Sequence, residues 1–335
     1  MPSPTILIAG AGLGGFEAFL TLKKLLKKHH LPHTITLINN VNYYTFVPML
    51  HEVATGSVEP SHVAVPLREQ MVGTPHRFVQ AQIKHVDLKK NTVLTDNGTF
   101  TYDHIIIGLG SGVNFFNTPG AQEYAQTVRT LPEALTTRAR LLNLLESGKK
   151  DLSISIVGGG YTGVEIAGQL GDFVRHEVTK LYPGTNVSIR IIEAQPALVS
   201  NLPSGVQNLV SARLKHLGVT ILTNQRVQAI SETTLTLGTG DTVASDVTIW
   251  SAGVGNRAPE FLSDIVMEKG CVMIDEFLRI KSMPNAYAIG DIAWGCNPGE
   301  TKPFPQLGEV AYHQGHFAAK HLVNTLLGQP TTTPF

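Results

Sequence analysis

Two copies of one glycine-rich pattern constrain the fold of this chain more than any other feature. The first copy, ILIAGAGLGG, runs from Ile6 to Gly15, and the second, ISIVGGGYTG, runs from Ile154 to Gly163. Each reads as a buried strand, a Gly-x-Gly-x-x-Gly turn and the start of an amphipathic helix. Such a unit can hold the pyrophosphate of a dinucleotide at the helix N-terminus. The duplication therefore predicts an α/β fold with two Rossmann-like dinucleotide-binding domains, although glycine turns that bind nothing remain an alternative.

Composition excludes several other classes of protein. The chain has 335 residues and a formal net charge of zero, which fits about two domains and gives no basic excess for nucleic acid. No apolar run approaches the roughly 18 residues of a membrane helix, and we expect no signal peptide. Only two cysteines occur, Cys271 and Cys296, so we predict neither a disulfide framework nor a metal site. A reducing, cytoplasmic compartment fits this pattern.

The residue after the second strand of each unit bears on which dinucleotide binds. Here a Rossmann unit places an acid that binds the ribose hydroxyls. The first unit has Asn39 at this place and the second has Glu193, with no arginine among residues 194–198. We therefore expect the second unit to favour NADH over NADPH. A solvated acid at a strand end is the simpler alternative.

Other segments give local predictions. We predict a helix from Phe16 to about Lys28, and a loop followed by a helix over residues 42–69. One strand over residues 78–87 is expected to run antiparallel to a strand over residues 91–94. Residues 285–291 read as a strand that ends in a Gly-Asp turn, and a further helix is expected to run to about Leu327.

Taken in order, these motifs resemble the type II, non-proton-pumping NADH:quinone oxidoreductases, flavoproteins of the pyridine nucleotide-disulfide oxidoreductase fold. The resemblance covers nearly the whole chain. It is carried by GAGLGG (Gly10–Gly15), FVPMLHEVATG (Phe46–Gly56), GGGYTGVEIAGQL (Gly158–Leu170), WSAGV (Trp250–Val254), AIGD (Ala288–Asp291) and the helix start after Pro305.

The resemblance implies a glutathione-reductase-like arrangement with the NADH domain inserted in the FAD domain. The FAD domain would comprise residues 1–113 and 275–335, and the NADH domain residues 114–274. NADH would reduce FAD by hydride transfer, and two electrons would pass to a quinone, either menaquinone or ubiquinone. Two alternatives stay open: a soluble NADH-dependent reductase of a small redox protein, and an NADH- and FAD-binding redox-sensing module.

The resemblance also assigns roles to residues. The residues expected near FAD are Gly10, Gly12, Gly14, Gly15, Asn39, Pro48, Gly110, Gly290 and Asp291. Those expected to bind NADH are Gly158, Gly160, Gly163, Glu193 and Gly253. Those expected at the catalytic and quinone side are Glu165, His313 and Gln314. For Glu165, an acid favoured by the helix dipole is the alternative reading.

The chain departs from the family at several positions. Asn39 replaces an acid, Val47 a threonine, and Glu309 and His313 glutamines. Residues 42–56 contain no cysteine, so no thiol relay is expected. The family continues into a C-terminal membrane-binding segment, whereas this chain ends at Phe335. The resemblance thus implies contact with the membrane surface through a segment outside this chain, peripherally on the cytoplasmic face, and a homodimer.

Overall fold

The structure is a computed structural model that describes residues 4–256, 258–262, 265–329 and 333–335. The strands are β1 (Thr5–Ala9), β2 (Thr34–Asn39), β3 (Tyr43–Thr45), β4 (Ala64–Pro66), β5 (Arg77–Gln80), β6 (Ile83–Asp87), β7 (Thr92–Thr95), β8 (Gly98–Thr101), β9 (His104–Ile107), β10 (Ser111–Val113), β11 (Asp151–Val157), β12 (Asn186–Ile192), β13 (Val219–Leu222), β14 (Val227–Ile230), β15 (Thr234–Leu237), β16 (Thr242–Ala244), β17 (Val247–Trp250), β18 (Val254–Asn256), β19 (Met267–Glu268), β20 (Cys271–Met273), β21 (Ala286–Ala288) and β22 (Ala293–Trp294).

The helices are α1 (Leu13–Lys28), α2 (Leu50–Thr55), α3 (Ala121–Tyr124), α4 (Leu131–Glu146), α5 (Tyr161–Phe173), α6 (Thr179–Leu181), α7 (Ser204–His216), α8 (Ala258–Phe261) and α9 (Gly308–Leu326). Single 3₁₀ turns cover Val47–Met49, Pro60–His62, Arg68–Met71 and Gly290–Ile292, and a π-helical turn covers Val174–Val178. Within the described ranges, no helix is both long and apolar enough to cross a bilayer.

The chain folds into two compact units that alternate along the sequence. The first unit comprises residues 1–46, 64–112 and 255–335, and the second comprises residues 47–63 and 113–254. The segment 47–63 belongs to the second unit because its helix α2 packs against α4 and α5. Which cofactor each unit holds stays a prediction.

The first unit is built on a five-stranded sheet in the order β21-β9-β1-β2-β5, with every neighbouring pair parallel. Its central strand is apolar from Ile6 to Ala9, and Ile6, Leu7 and Ile8 are completely buried. A strand that is buried on both faces needs such a continuous apolar run, as in sheets covered by helices. The run therefore fixes β1 at the centre of the core.

The second unit repeats this plan with a four-stranded parallel sheet in the order β13-β12-β11-β17. Ile154 and Ile156 of β11 are buried, and α5 and α7 pack on one another beside the sheet. A three-stranded antiparallel sheet, β14-β15-β16, extends the unit. The predicted α/β fold, with one dinucleotide-type unit inserted in the sequence of the other, is confirmed.

The prediction of one strand over residues 78–87 was wrong. The structure has two strands there, β5 and β6, and they join different sheets. The break falls at Ala81, whose N–H donates to the Asn39 carbonyl, and at Gln82, whose N–H donates to the Asp96 side chain. The first bond is the last of the ladder with β2, and the second joins the chain to the residue after β7, so β6 begins the antiparallel sheet β6-β7-β8.

Candidate functional site

In the first unit, the strand ends bring the predicted FAD residues to one edge of the sheet. The carboxyl ends of β1, β2 and β9 lie side by side, with Ala9 opposite Ile38 and Ile107, and Ala288 of β21 is opposite Ile107. Gly10, Asn39, Gly110 and Asp291 follow these strand ends. The carboxyl edge of a parallel α/β sheet is the usual place for a ligand.

The glycines of the first turn have separate steric roles. Gly10 has a φ of +96°, a left-handed conformation that L side chains rarely adopt, and a Cβ on Gly15 would overlap the Gly10 carbonyl. By contrast, a Cβ on Gly12 would meet no protein atom within 4 Å. Gly12 also begins α1 without a side-chain cap and without an acid in the first turn. The helix N-terminus is therefore open toward an anion.

Asn39 acts on the turn itself. Its Oδ1 accepts a hydrogen bond from the Ala11 N–H at 3.0 Å, and its Nδ2 donates to the Val41 carbonyl at 3.0 Å. The Gly10 N–H also donates to the Ile38 carbonyl at 2.8 Å. Asn39 therefore holds the glycine turn against the end of β2 with both halves of its amide.

A second set of contacts fixes the Gly-Asp turn. The Gly290 N–H donates to Oε1 of Gln314 at 2.7 Å, and Gln314 is only 2% exposed. The Ser111 hydroxyl donates to Oδ2 of Asp291 at 2.6 Å. Gln314 therefore supports the turn that carries Asp291, a role that the sequence did not indicate.

Replacing Gln314 by alanine is expected to destabilise the protein by about 1–3 kcal/mol, because the half-buried Gly290 N–H would lose its acceptor. Gln314→Glu keeps an acceptor oxygen and serves as the matched variant, so we expect it to lose less stability than Gln314→Ala near pH 6. Urea unfolding followed by circular dichroism would measure both. Equal stability of Gln314→Ala and the unaltered protein would contradict the support role.

Gly14 lies in a contact between helices. A Cβ on Gly14 would come within 2.6 Å of the Ala311 carbonyl oxygen, and a Cβ on Gly315 would overlap the Gly14 carbonyl. The two glycines thus let α1 and α9 approach until their backbones touch. This packing accounts for Gly14 without a ligand.

The exposed face at the start of α9 carries the residues that depart from the resembled family. Glu309 and His313 are both exposed and lie one helical turn apart. Tyr312 is 44% exposed, with its ring centroid 5.4 Å from that of His313. His313 and Gln314 therefore lie on different faces of α9, one toward solvent and the other toward the core.

The turn of the second unit repeats the first. Gly158 has a φ of +108°, a Cβ on Gly163 would overlap the Gly158 carbonyl, and Gly160 has no atom within 4 Å of a Cβ position. The Gly158 N–H donates to the Ile192 carbonyl at 2.8 Å. Gly160 begins α5 without a side-chain cap. The second turn therefore offers the same open helix N-terminus.

Glu193 takes the place that Asn39 has in the first unit. Its Oε2 accepts from the Gly159 N–H at 2.5 Å, and its Oε1 accepts from the Gln195 N–H at 2.7 Å. Both acceptors thus hold the N–H of the residue between the first two glycines, Ala11 in one unit and Gly159 in the other. The Glu193 carboxylate and the Asn39 amide therefore make the same hydrogen bond in the two units.

A cavity of about 710 Å³ opens at this edge of the second sheet. Its walls include the turn at Gly158, the acid Glu193, the segment 116–119 and the segment 225–228. Cavities of this size suit small-molecule and cofactor ligands. The predicted residues Gly158 and Glu193 therefore face one cavity.

Gly253 is close to the same cavity. A Cβ at Gly253 would lie 2.6 Å from the Asn114 carbonyl oxygen and 2.6 Å from the Phe116 ring. Phe116 itself is 59% exposed, with a φ of +49°. Gly253 thus lets an exposed aromatic ring lie over the end of β17.

Glu165 has a histidine neighbour that the sequence did not single out. Nδ1 of His51, on α2, lies 3.9 Å from Oε2 of Glu165, on α5. Partial burial raises the pKa of the Glu165 carboxyl, and the charge of His51 opposes this rise. The side chains are 16% and 52% exposed for His51 and Glu165. The pair can therefore hold or release a proton near the helix surface.

The remaining predicted positions are the turn at Pro48 and the two cysteines. Pro48 lies in an exposed single turn beside Val47, which is 42% exposed. The two cysteines are both free thiols, Cys271 buried and Cys296 exposed, and burial raises the pKa of the Cys271 thiol. Across the described ranges, no group of three or more potential ligands could hold a metal ion.

Comparison with known proteins identifies a family. Residues 4–315 match the family model described as "Pyridine nucleotide-disulphide oxidoreductase". The chain is 28% identical to the demethylphylloquinone reductase NdbB of Synechocystis, over 98% of this chain and 81% of that protein. It is 27% identical to the type II NADH:quinone oxidoreductase of Staphylococcus saprophyticus, over 97% of this chain and 83% of that protein.

A solved structure shows the same likeness. It is NDH2 of Plasmodium falciparum in complex with NADH, which superposes with a TM-score of 0.79 at 26% identity. The match covers 87% of this chain and 64% of that one, so this chain spans somewhat less than two thirds of the Plasmodium protein.

Proposed function

We propose that this chain, which belongs to the pyridine nucleotide-disulphide oxidoreductase family, is an FAD-dependent NADH:quinone oxidoreductase. NADH gives a hydride to FAD, and two electrons then pass to a quinone. The observation that carries the proposal is the repeated turn, with an open helix N-terminus and an acceptor at the end of the second strand in each unit. One dinucleotide cofactor and one dinucleotide substrate need two such sites.

The residues of the first unit suit FAD. The N-terminus of α1 at Gly12 would meet the pyrophosphate, because no protein atom occupies the space beside it. Asp291, oriented by Ser111, would accept hydrogen bonds from the hydroxyl groups of the ribityl chain. Asn39 would adjoin the adenosine ribose, while Gly15, Gly14 and Gly290 shape the surrounding backbone. The flavin supplies the redox chemistry when bound, and the protein supplies binding and orientation.

The residues of the second unit suit NADH. The N-terminus of α5 at Gly160 would meet the pyrophosphate, and Glu193 would bind the adenosine ribose. Gly253 and Phe116 would adjoin the nicotinamide half. Glu165 would face the place where NADH and quinone react, with His51 as its proton partner.

A quinone is the proposed acceptor because the Staphylococcus and Synechocystis relatives are named for quinone reduction. Residues 42–56 also lack the cysteines that a disulfide relay would need. Menaquinone and ubiquinone both fit this proposal. A quinone acceptor supports a peripheral position at the cytoplasmic membrane face, and we include that position and a homodimer in the proposal.

Anaerobic stopped-flow spectroscopy tests the proposal. The yellow protein should lose its flavin absorbance when mixed with NADH and regain it when mixed with a water-soluble quinone. Absence of flavin in the purified protein would overturn the proposal. Bleaching by NADH without recovery by quinone would leave the NADH half intact and reject the quinone acceptor for this chain.

His313→Gln restores the residue that the resembled family carries, and we expect it to raise the KM for a soluble quinone about threefold to tenfold. The reason is that the amide of glutamine cannot reproduce the position or the positive charge of the imidazole, and the loss of one such contact costs about 1 kcal/mol. Steady-state kinetics with varied quinone would measure the change. His62→Gln, an exposed histidine on another segment, is the control. An unchanged KM in His313→Gln would remove His313 from the acceptor site.

A further inference from the structure

The cavity of the second unit is lined by one arginine, Arg226, to which no sequence motif gives a role. Gln225, Arg226 and Gln228 line it together with Glu193. This strip runs beside the end of β12, because the Gln225 N–H donates to the Glu193 carbonyl at 3.0 Å. The Asn224 N–H likewise donates to the Gln195 carbonyl at 3.0 Å. The strip is therefore held next to the acid by the backbone.

Buried and exposed side chains alternate along this strip, residues 225–228, so its polar side chains lie at the surface. Val227 is 5% exposed and belongs to the core, whereas Arg226 and Gln228 are exposed. The Arg226 carbonyl accepts from the Gly238 N–H at 2.7 Å, which fixes its backbone. Among the residues that the structure describes, no carboxylate forms an ion pair with Arg226. Its guanidinium is thus available to a ligand.

The neighbouring acid, Glu193, already makes hydrogen bonds to the backbone. Both oxygens of Glu193 accept backbone N–H groups, from Gly159 and Gln195. The carboxylate is therefore held in place, and its negative charge opposes a second anion at the ribose. The arginine offers the opposite charge on the adjoining wall. A phosphate on the ribose 2′-oxygen would meet repulsion from Glu193 and attraction from Arg226.

We infer that Arg226 is a specificity-determining residue that prepares the cavity for the 2′-phosphate of NADPH, and that Glu193 alone prevents its use. The inference rests on the proposed nucleotide function of this cavity. It implies that this chain favours NADH although the cation an NADPH site needs is already present. Removing one negative charge should then be enough to admit the 2′-phosphate.

The test measures binding of ADP-ribose and 2′-phospho-ADP-ribose to the intact protein by isothermal titration calorimetry. Neither probe carries nicotinamide, so no redox turnover contributes. We expect the unaltered protein to prefer ADP-ribose, and Glu193→Gln to bind 2′-phospho-ADP-ribose at least about tenfold more tightly than the unaltered protein does. In Glu193→Gln combined with Arg226→Gln, most of that gain should disappear.

Glu193→Gln combined with Arg213→Gln is the matched control. Arg213 lies on α7, pairs with Asp172 at 3.7 Å and does not line the cavity. This control removes the same total charge and should keep the gain. A gain that survives the loss of Arg226, or no gain in Glu193→Gln, would overturn the inference while leaving the NADH site intact. If the unaltered protein bound neither probe, the nucleotide site itself would be rejected, and the inference with it.

Discussion

Replacing Gly12 by valine is expected to give a folded protein that retains little flavin. A Cβ at Gly12 meets no protein atom within 4 Å, and its φ of −71° and ψ of −172° suit any residue. The fold should therefore accept the substitution. The added side chain would instead occupy the space that the pyrophosphate needs at the start of α1. We expect flavin content to fall about tenfold or more, measured as flavin absorbance per protein.

Two further variants make that result specific. Gly205→Val adds the same side chain at an exposed position of α7 with equally open surroundings and should retain full flavin content. Gly160→Val changes the corresponding glycine of the second unit and should yield yellow protein that NADH reduces poorly. If Gly12→Val remained yellow, or if Gly160→Val lost flavin instead, the assignment of the two turns would be wrong.

Replacing Glu165 by glutamine is expected to slow flavin reoxidation by quinone about 100-fold while NADH still reduces the flavin. Quinone reduction consumes a proton, and a positioned acid typically contributes about 10²–10⁴ to such a step. Partial burial raises the pKa of the Glu165 carboxyl, so the proton-donating form persists to higher pH than in a fully solvated glutamate. Stopped-flow mixing of the reduced protein with quinone would measure the rate.

The pH dependence of the reoxidation rate tests whether protonated Glu165 is the proton donor. In the unaltered protein the reoxidation rate should fall as the pH rises through the raised pKa of Glu165, because the proton donor is then lost. In Glu165→Gln this fall should be absent. His51→Gln should shift the fall to higher pH, since the opposing positive charge is removed. Glu177→Gln, an exposed acid of the same unit, is the control. A slowed NADH step with normal reoxidation would contradict the proton-donor role.

Most of the fold could be predicted from local sequence patterns. The two parallel sheets and their glycine turns were predictable. In each unit the signal is an apolar β-branched run followed by spaced glycines, and it lies within one segment of about fifteen residues. The strand over residues 78–87 was mispredicted for the opposite reason. Its apolar residues are consistent with one strand, but the change of sheet depends on the partners that the chain meets, Asn39 of β2 before the break and Asp96 after it. Periodicity does not contain that information.

The candidate site was predictable only where a motif names its residues. His51 lies beside Glu165 because α2 packs on α5, which joins positions more than a hundred residues apart in the sequence. Arg226 reaches the cavity because the segment before β14 that carries it runs beside the end of β12. Arg226 lies beyond residues 194–198, where the motif would place an arginine, so only the three-dimensional structure brings it beside Glu193. The assigned roles of the site residues stay predictions until the variants above are measured.

The close approach of α1 and α9 through Gly14 and Gly315 has a consequence for biosynthesis. Contacts between these helices join residues as far apart as Glu17 and His316, 299 positions later. A ribosome releases the chain from its N-terminus, so the first glycine turn emerges long before the helix that packs against it. Strand β1 must likewise wait for β9, and β9 for β21. We therefore expect flavin capture to be a late, post-translational event, with stalled chains that end before α9 remaining colourless.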